Sequence, residues 1–211
     1  MRYDRNSIRT GGWPVIAVLL LALGASGCER KMLDFVCTPV SPGQLVITEI
    51  RGEQADTDTW GQWIEIHNRG NTAVDVTGIR IRLLQLDGTN EVWITVRAPD
   101  MTIAAGGYFV VGRFPANNLP DHVDYGYETD FTSDLYADGL IELYVCNELE
   151  DSVLYHNLPT TGSLSFDGDL EPTVEANDIE ANWCNDASDV GGNPTEVGIP
   201  GTPGEQNRPC N

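Results

Sequence analysis

The chain has 211 residues, with 12 basic against 32 acidic side chains and a formal net charge of −20. Such an excess of acid repels nucleic-acid phosphates and anionic lipid head groups, which argues against both as direct partners. Cations and basic partners remain compatible with this charge, although its simplest consequence is solubility.

The N-terminus has the pattern of an export signal. Arg2, Arg5 and Arg9 precede an apolar run over residues 15–23, and small residues follow this run up to Cys28. A basic lead, a short apolar stretch and small residues before a cleavage point are typical of secreted proteins. A short membrane anchor helix is the alternative, but the apolar run falls below the roughly 20 residues that a membrane span needs.

The segment Ala25-Ser26-Gly27-Cys28 resembles a bacterial lipobox, although Leu is more common where Ala25 stands. The resemblance implies that residues 1–27 are a lipoprotein signal peptide and that Cys28 is lipidated. Glu29 would then be the second mature residue, where Asp commonly signals retention in the inner membrane, so the outer membrane is expected, on its periplasmic or surface face. Cleavage would remove three arginines and one aspartate, which leaves 9 basic and 31 acidic residues and a net charge of −22.

We predict a lipidated tether over residues 28–42 and one all-β domain over residues 43–211. The tether mixes charged residues with Pro and Gly and shows no helical or strand period. Short segments rich in Val, Ile and aromatic residues follow, separated by turn residues, which is typical of paired strands. They are predicted at residues 45–50, 63–66, 72–76, 79–86, 91–96, 108–112, 140–146 and 152–155, with a loop over residues 117–129 and no core helix.

These segments resemble, in serial order, the lamin tail domain, a family found in nuclear lamins and in many exported bacterial proteins. The resemblance implies an immunoglobulin-like β-sandwich. Its motifs are LVITEI (45–50), WIEIHNRGNTAVDVTGIRI (63–81), TIAAGGYFVVGR (102–113), LYADGLIELY (135–144), DSVLYHN (151–157), GSLSF (162–166) and TPGEQN (202–207). A long acidic insert between Phe166 and Thr202 departs from the minimal domain.

Four cysteines remain besides Cys28, and in an oxidising compartment they predict two disulfides with three pairings open. Exported bacterial chains of this family often end in Trp-Cys, then TPG-x-x-N, then a last Cys. The resemblance therefore implies a Cys184–Cys210 disulfide and leaves Cys37 for Cys146, which would tie the tether to a core strand.

No nucleophile elbow, zinc-binding HExxH, P-loop or dinucleotide fingerprint is present in the sequence. His67, His122 and His156 lie far apart and are interpreted as turn or surface residues. Carboxylates are so frequent that no single acid–base pair stands out. The sequence therefore predicts a protein that is not an enzyme.

Calcium is the sharpest chemical hypothesis. Six residues of the acidic insert follow the spacing of a calcium loop at positions one, three, five, seven, nine and twelve: Asp167, Asp169, Glu171, Thr173, Glu175 and Asp178. Pro172 stands where the loop needs Gly, and Asp178 is shorter than the usual bidentate Glu. A solvated acidic loop is the alternative, and Asp56 with Asp58 form a second candidate loop.

Four tryptophans raise the alternative of a carbohydrate-binding platform. Trp63 and Trp93 lie on predicted strands and are interpreted as core or inter-sheet packing, a more frequent role for strand aromatics. Trp60 stands beside Gly61 in a loop and is the better surface candidate, while Trp183 precedes a cysteine of the tail.

The function predicted from these features is that of a non-catalytic, lipid-anchored binding module of the bacterial cell envelope. We expect a monomer without a cofactor, apart from calcium, whose partner is an envelope or extracellular protein or a glycan. The alternatives are a loop-based hydrolase, a nuclease-accessory protein and a calcium-dependent surface adhesion domain.

Overall fold

Short β-strands make up most of the regular structure. A computed structural model describes residues 39–55, 60–188 and 198–210. Its strands are β1 (Leu45–Arg51), β2 (Trp63–Asn68), β3 (Val74–Asp75), β4 (Arg80–Gln85), β5 (Val92–Thr95), β6 (Thr102–Ile103), β7 (Tyr108–Gly112), β8 (Tyr125–Gly126), β9 (Gly139–Val145), β10 (Glu148–Tyr155), β11 (Ser163–Phe166) and β12 (Trp183–Asp186). A one-turn helix, α1 (Val174–Asn177), and a 3-10 turn (Glu180–Asn182) lie between β11 and β12.

The predicted signal peptide, Cys28 and Cys37 lie outside the described residues, as do Asp56 and Asp58. The described residues all belong to one compact unit, Phe35–Asn211. Within them, no helix has both the length and the apolar character that crossing a membrane would require.

The strands form two main sheets. One sheet has six strands in the order β12-β11-β1-β2-β7-β8, in which all neighbours are antiparallel except β7 and β8. The other has four antiparallel strands in the order β10-β9-β4-β5. Strands β3 and β6 form a small antiparallel pair of their own.

One hydrophobic core lies between the two main sheets. Ile47, Ile64 and Phe109 enter it from the six-stranded sheet, and Ile81 and Leu143 enter it from the four-stranded sheet. Successive side chains of a strand point to opposite faces, so alternate residues reach this core and the others face outward. The arrangement confirms the predicted all-β fold and is consistent with an immunoglobulin-like β-sandwich.

Each predicted strand overlaps a strand of the structure, but two expectations need correction. Residues 117–129 are not only a loop, because Val123, Tyr125 and Tyr127 are buried and β8 pairs with β7. Strand pairing also continues beyond the last strand predicted, since β11 joins β1 and β12 joins β11. The six-stranded sheet is therefore wider than the sequence indicates.

We call the outer side of the four-stranded sheet the open face. It carries half-buried side chains of both charges and two aromatic rings: Arg80, Arg82, Trp93, Glu142 and Tyr144. The Arg80 guanidinium lies 4.5 Å from the Trp93 ring centroid, and Arg82 forms an ion pair of 3.0 Å with Glu142. The interpretation of Trp93 as a core residue is therefore wrong.

Carboxylates of β10 hold the first half of β1, which β11 does not reach. Glu150 Oε1 accepts a hydrogen bond of 2.8 Å from the Gln44 backbone N–H. Asp151 Oδ2 accepts one of 2.7 Å from Ile47 N–H and one of 2.8 Å from Asn177 Nδ2, so α1 is fastened at the same point. Burial raises the pKa of Asp151 to about 7.

Candidate functional site

We call the outer side of the six-stranded sheet the covered face, because later segments of the chain pack over it. Trp63, Glu65 and His67 of β2 lie on this side, since they alternate with the core residues Ile64 and Ile66. Glu49 of β1 is the cross-strand partner of Glu65. The two main sheets thus present outer surfaces of different kinds.

Glu49 is a fully buried carboxylate surrounded by hydrogen-bond donors. Its Oε1 accepts hydrogen bonds of 2.6 Å from Ser163 Oγ, 2.9 Å from Ser165 Oγ and 3.0 Å from the Thr202 backbone N–H. Its Oε2 accepts one of 3.0 Å from the Trp63 indole N–H. Burial raises the pKa of Glu49, and these four donors oppose the rise.

Glu65 is also fully buried, and it accepts hydrogen bonds of 2.7 Å from Thr48 Oγ1 and 2.7 Å from the Gly204 backbone N–H. Burial, followed by the neighbouring Glu49 carboxylate, raises the pKa of Glu65 well above its ordinary value. In the part of the chain that the structure describes, no cation pairs with these two adjacent carboxyls, an arrangement that favours a shared proton. Because neither side chain has accessible surface, the pair serves to hold chain segments and is closed to ligands.

The segment that covers the two glutamates is the TPGEQN motif, residues 202–207. Thr202 and Gly204 bond the glutamates, and Asn207 adds two further hydrogen bonds. Its Nδ2 donates one of 2.7 Å to the Thr48 carbonyl oxygen, and its Oδ1 accepts one of 2.8 Å from Thr202 Oγ1. Gly168 of the insert lies directly against this segment, where a Cβ would overlap the Asn207 carbonyl oxygen. The motif therefore connects the C-terminal segment and the insert to β1.

A disulfide fixes the end of this segment. Cys184 on β12 is bonded to Cys210, which confirms that predicted pairing. Cys146 stands exposed in the turn between β9 and β10 and is disulfide-bonded as well. Its predicted partner, Cys37, lies outside the described residues, so that pairing stays a prediction.

A cavity of about 250 Å³, which we call the outer cavity, opens on the covered face beside the glutamate pair. The sheet lines it with Thr48, His67 and Tyr108, together with Gly106 of the adjoining turn. The first part of the insert supplies Phe166, Asp167, Gly168, Leu170, Glu171 and Pro172, and the C-terminal segment supplies Gln206 and Asn207. Three distant parts of the chain thus meet around one concave site.

His67 forms part of the wall of the outer cavity and is only 9% exposed. Its ring stacks on Tyr108 with 4.5 Å between the ring centroids, and its Nδ1 lies 3.1 Å from the Gly107 carbonyl oxygen. Burial lowers the pKa of His67, so the imidazole is neutral at pH 7. A neutral ring that bonds a carbonyl through Nδ1 carries its proton there, which leaves the Nε2 lone pair free to accept.

The interpretation of the histidines as turn or surface residues is wrong for His67, whereas His122 does lie in a turn, although it is buried there. His67 lies on β2, and His122 is buried with its ring 5.2 Å from Trp63 and its Nε2 3.0 Å from the Trp60 carbonyl oxygen. His156 is exposed, and its Nδ1 lies 3.6 Å from Asp138. The three rings therefore occupy three different environments.

The structure does not bring the four tryptophans together. Trp63 is buried in a second apolar cluster with Val110, Val123 and Ile199, against which Trp60 packs half-buried. Trp93 lies on the open face. Trp183 contacts Phe166 edge-on and donates 2.8 Å to the Asn177 carbonyl. A single aromatic platform is not formed by these rings.

The residues of the predicted calcium loop also separate. Asp167 and Glu171 line the outer cavity, whereas Asp169, Glu175 and Asp178 do not. Asp167 Oδ1 accepts hydrogen bonds from the backbone N–H groups of Asp169 and Cys210, at 3.0 and 3.1 Å. Thr173 caps α1 through its side chain, which places Glu175 in the first helical turn and Asp178 at the C-cap. Among the described residues, no group of three or more His, Cys, Asp or Glu side chains could hold a metal ion.

Sequence reasoning missed the Glu49–Glu65 pair. A signal was present, because each glutamate is the one charged residue within an apolar strand segment, LVITEI and WIEI. That pattern places both carboxyls opposite the core and on neighbouring strands. It gives no sign that a segment more than 100 residues later will cover them.

Comparison with known proteins identifies the family. The lamin tail domain model matches residues 38–162, which includes β1 to β10 and ends just before β11. No curated protein sequence matches the chain. The insert, β11, β12 and the TPGEQN segment lie beyond the matched range. Because the match spans more than half of the 211 residues, the chain belongs to the lamin tail domain family.

Proposed function

We propose that this protein is a non-catalytic binding module that a lipid on Cys28 holds in the bacterial cell envelope, at the outer membrane. Membership of a family of immunoglobulin-like interaction domains supports the binding role. The basic lead, the apolar run and the lipobox-like segment before Cys28 support the anchor. Its partner is an envelope or extracellular protein or a glycan.

The observation that carries the binding role is the outer cavity. It is preformed, because the six-stranded sheet, the insert and the disulfide-tied C-terminal segment fix its walls. The carboxyl pair beside it is fully buried and occupied by structural hydrogen bonds. A concave site with fixed walls and a closed carboxyl pair supports recognition over turnover.

The proposed Cys37–Cys146 disulfide agrees with this picture. The hydrogen bond from Gln44 to Glu150 places the start of the described chain beside β10, the strand that follows the Cys146 turn. A bridge at that point would hold the tether against the domain.

Metabolic labelling with a clickable fatty acid in a bacterial host tests the anchor. The wild-type chain should carry label and fractionate with the outer membrane, and Cys28→Ala should lose both. Ser26→Ala, which keeps a small residue next to the cleavage point, is the matched control and should keep the label. Label that persists in Cys28→Ala, or recovery of uncleaved wild-type protein in the cytosol, would contradict the anchor.

Crosslinking in intact envelopes then tests the binding role. A discrete adduct that forms with the wild type is expected. Turnover by purified protein in a hydrolase panel with added zinc or calcium, without any adduct, would instead favour an enzyme.

A further inference from the structure

We propose that the outer cavity binds a protonated aliphatic amine or guanidinium group, such as a basic side chain or a small free amine carries. The inference rests on the proposed binding role and names the ligand chemistry of that site. It depends neither on the lipid anchor nor on the identity of the envelope partner.

The size of the outer cavity limits its occupant. A volume of about 250 Å³ is below the roughly 300–1,000 Å³ of pockets that enclose drug-sized ligands. A liquid water molecule takes about 30 Å³, so the cavity has the volume of about eight waters, enough for one extended side-chain-sized group. A folded domain, a nucleotide or a sugar chain cannot enter it whole.

The side chains of the cavity offer mainly acceptors, and the Tyr108 phenol can both donate and accept. His67 is nine-tenths buried, and its only hydrogen bond within the described structure is the one through Nδ1, so Nε2 presents a free lone pair. The Asp167 and Glu171 carboxylates lie on the insert side of the same cavity. A donor-rich cationic group complements this set of acceptors, whereas an anion would be repelled by it.

The walls of the outer cavity suit the aliphatic part of an amine or guanidinium ligand as well as its charged end. Tyr108 and Phe166 supply aromatic surface, against which methylene groups can pack. Burial raises the pKa of Tyr108 to about 12, so its phenol stays neutral at pH 7. The net charge of −20 raises the local concentration of any cation around the protein.

Arg69 is the protein's own cation at this site, and it does not fill the cavity. Its Nη2 lies 3.6 Å from Glu171 Oε1, and the Glu171 side chain is 73% exposed. An ion pair so open to solvent is weak. Arg69 does not line the cavity, so an incoming ammonium group can compete for the Glu171 carboxylate.

The test is an NMR titration of the purified full-length protein with butylammonium chloride, and with 1-butanol as the neutral isostere. The chain has three histidines, so the ring signals of His67 can be assigned from a His67→Phe variant. Butylammonium should shift the His67 signals saturably, while the His156 signals stay in place and 1-butanol leaves both unchanged. A blocked lysine amide then distinguishes the two possible ligands, a basic side chain and a small free amine. Tighter binding of the lysine amide than of butylammonium indicates a basic side chain, and equal binding indicates a free amine. The ε-acetylated form of the lysine amide is the uncharged control.

Two variants of equal charge control for the acidity of the whole protein. Glu171→Gln removes a carboxylate that lines the cavity and should raise Kd by about fivefold, as expected for one charged contact near the surface. Glu175→Gln removes the same charge from the same insert, outside the cavity, and should change Kd by less than about twofold. Both side chains are exposed, so neither variant threatens the fold.

Three results would overturn the proposal: no saturable shift at His67, equal shifts with 1-butanol, or equal weakening by the two glutamine variants. Each of them leaves the lipid label and the envelope adduct untouched. Failure of the cation site is therefore distinguishable from failure of the binding-module function.

Discussion

The covered face and the open face carry the same hydrogen bond in opposite surroundings. Trp63 donates its indole N–H to Glu49 at 3.0 Å, and Trp93 donates its indole N–H to Glu91 at 2.5 Å. Burial raises the pKa of Glu49, whereas the hydrogen bond from Arg82 lowers the pKa of Glu91. The direction of the pKa shift therefore depends on access to water and on a partner cation, and not on the hydrogen bond from tryptophan.

The pKa shifts of Glu49 and Glu91 differ because the two faces are covered differently. The open face ends in solvent, where Arg82 reaches both Glu91 and Glu142, at 2.7 and 3.0 Å. On the covered face, β11 and the TPGEQN segment replace water with hydroxyls and backbone N–H groups. A carboxyl there contributes by satisfying donors, and its removal leaves those donors buried without partners.

The largest effect should follow from removing the covered carboxyl. Glu49→Ala leaves the two serine hydroxyls, the Thr202 N–H and the Trp63 N–H without their acceptor. Since each buried unsatisfied donor costs about 1–3 kcal/mol, we expect the free energy of unfolding to fall by about 4 kcal/mol. Urea denaturation followed by tryptophan fluorescence measures this change.

Glu91→Ala is the matched control for Glu49→Ala, because it removes the carboxyl partner of the other tryptophan. It should move the urea midpoint little, since exposed ion pairs contribute little to stability. If both variants lost the same free energy of unfolding, burial on the covered face would not increase the contribution of Glu49 to stability.

The next effect tests what keeps the covered face closed. Replacing both Cys184 and Cys210 by Ala opens a disulfide of sequence separation 26, which should cost about 3 kcal/mol of stability. Hydrogen exchange should then speed up at the Thr202 and Gly204 amides that bond the two glutamates, while the amides of β4 on the other sheet keep their protection. The comparison would fail if β4 and the C-terminal segment lost protection together.

Strand periodicity predicted the open face correctly, and the argument from residue type did not. Alternation along residues 91–96 places Trp93 with Glu91 and Thr95 on the solvent side, where the structure has it. Its assignment to the core came from the usual burial of tryptophan and was wrong. Local alternation is a geometric property of a strand, whereas burial also depends on what the rest of the chain supplies.

The candidate site was harder to predict because its parts lie far apart in the sequence. The hydrogen bond between Thr202 and Glu49 joins residues 153 positions apart, and the outer cavity needs β2, β7, the insert and the chain end together. The calcium spacing describes a continuous loop, yet Thr173 caps α1 and turns the second half of that loop into helix. Local capping therefore overrides a spacing that looked like a ligand set.

The smallest effect concerns the pH dependence of stability, whose sign separates the buried carboxyls from the exposed Glu91. An unfolded glutamate has a pKa of roughly 4.3. Burial raises the pKa of Glu49 above this value and that of Glu65 well above it. Burial also raises the pKa of Asp151 to about 7. An acid whose folded pKa is raised stabilises the fold fully below its unfolded pKa, and this contribution is lost as pH rises through the folded value. The melting temperature should therefore fall as pH rises from 5 to 8.

Glu65→Gln should flatten this decline and raise the melting temperature at pH 8 by a few degrees, since about 1 kcal/mol moves Tm by about 2–4 °C in a domain of this size. The amide can replace the protonated carboxyl, because its oxygen accepts from Gly204 N–H and the Thr48 hydroxyl can turn to accept from its nitrogen. Glu91→Gln removes the same charge from a group whose pKa is lowered, so it should leave the decline in place. If both variants flattened the decline equally, repulsion across the whole acidic protein would be its source, and the closed carboxyl pair would have no part in it.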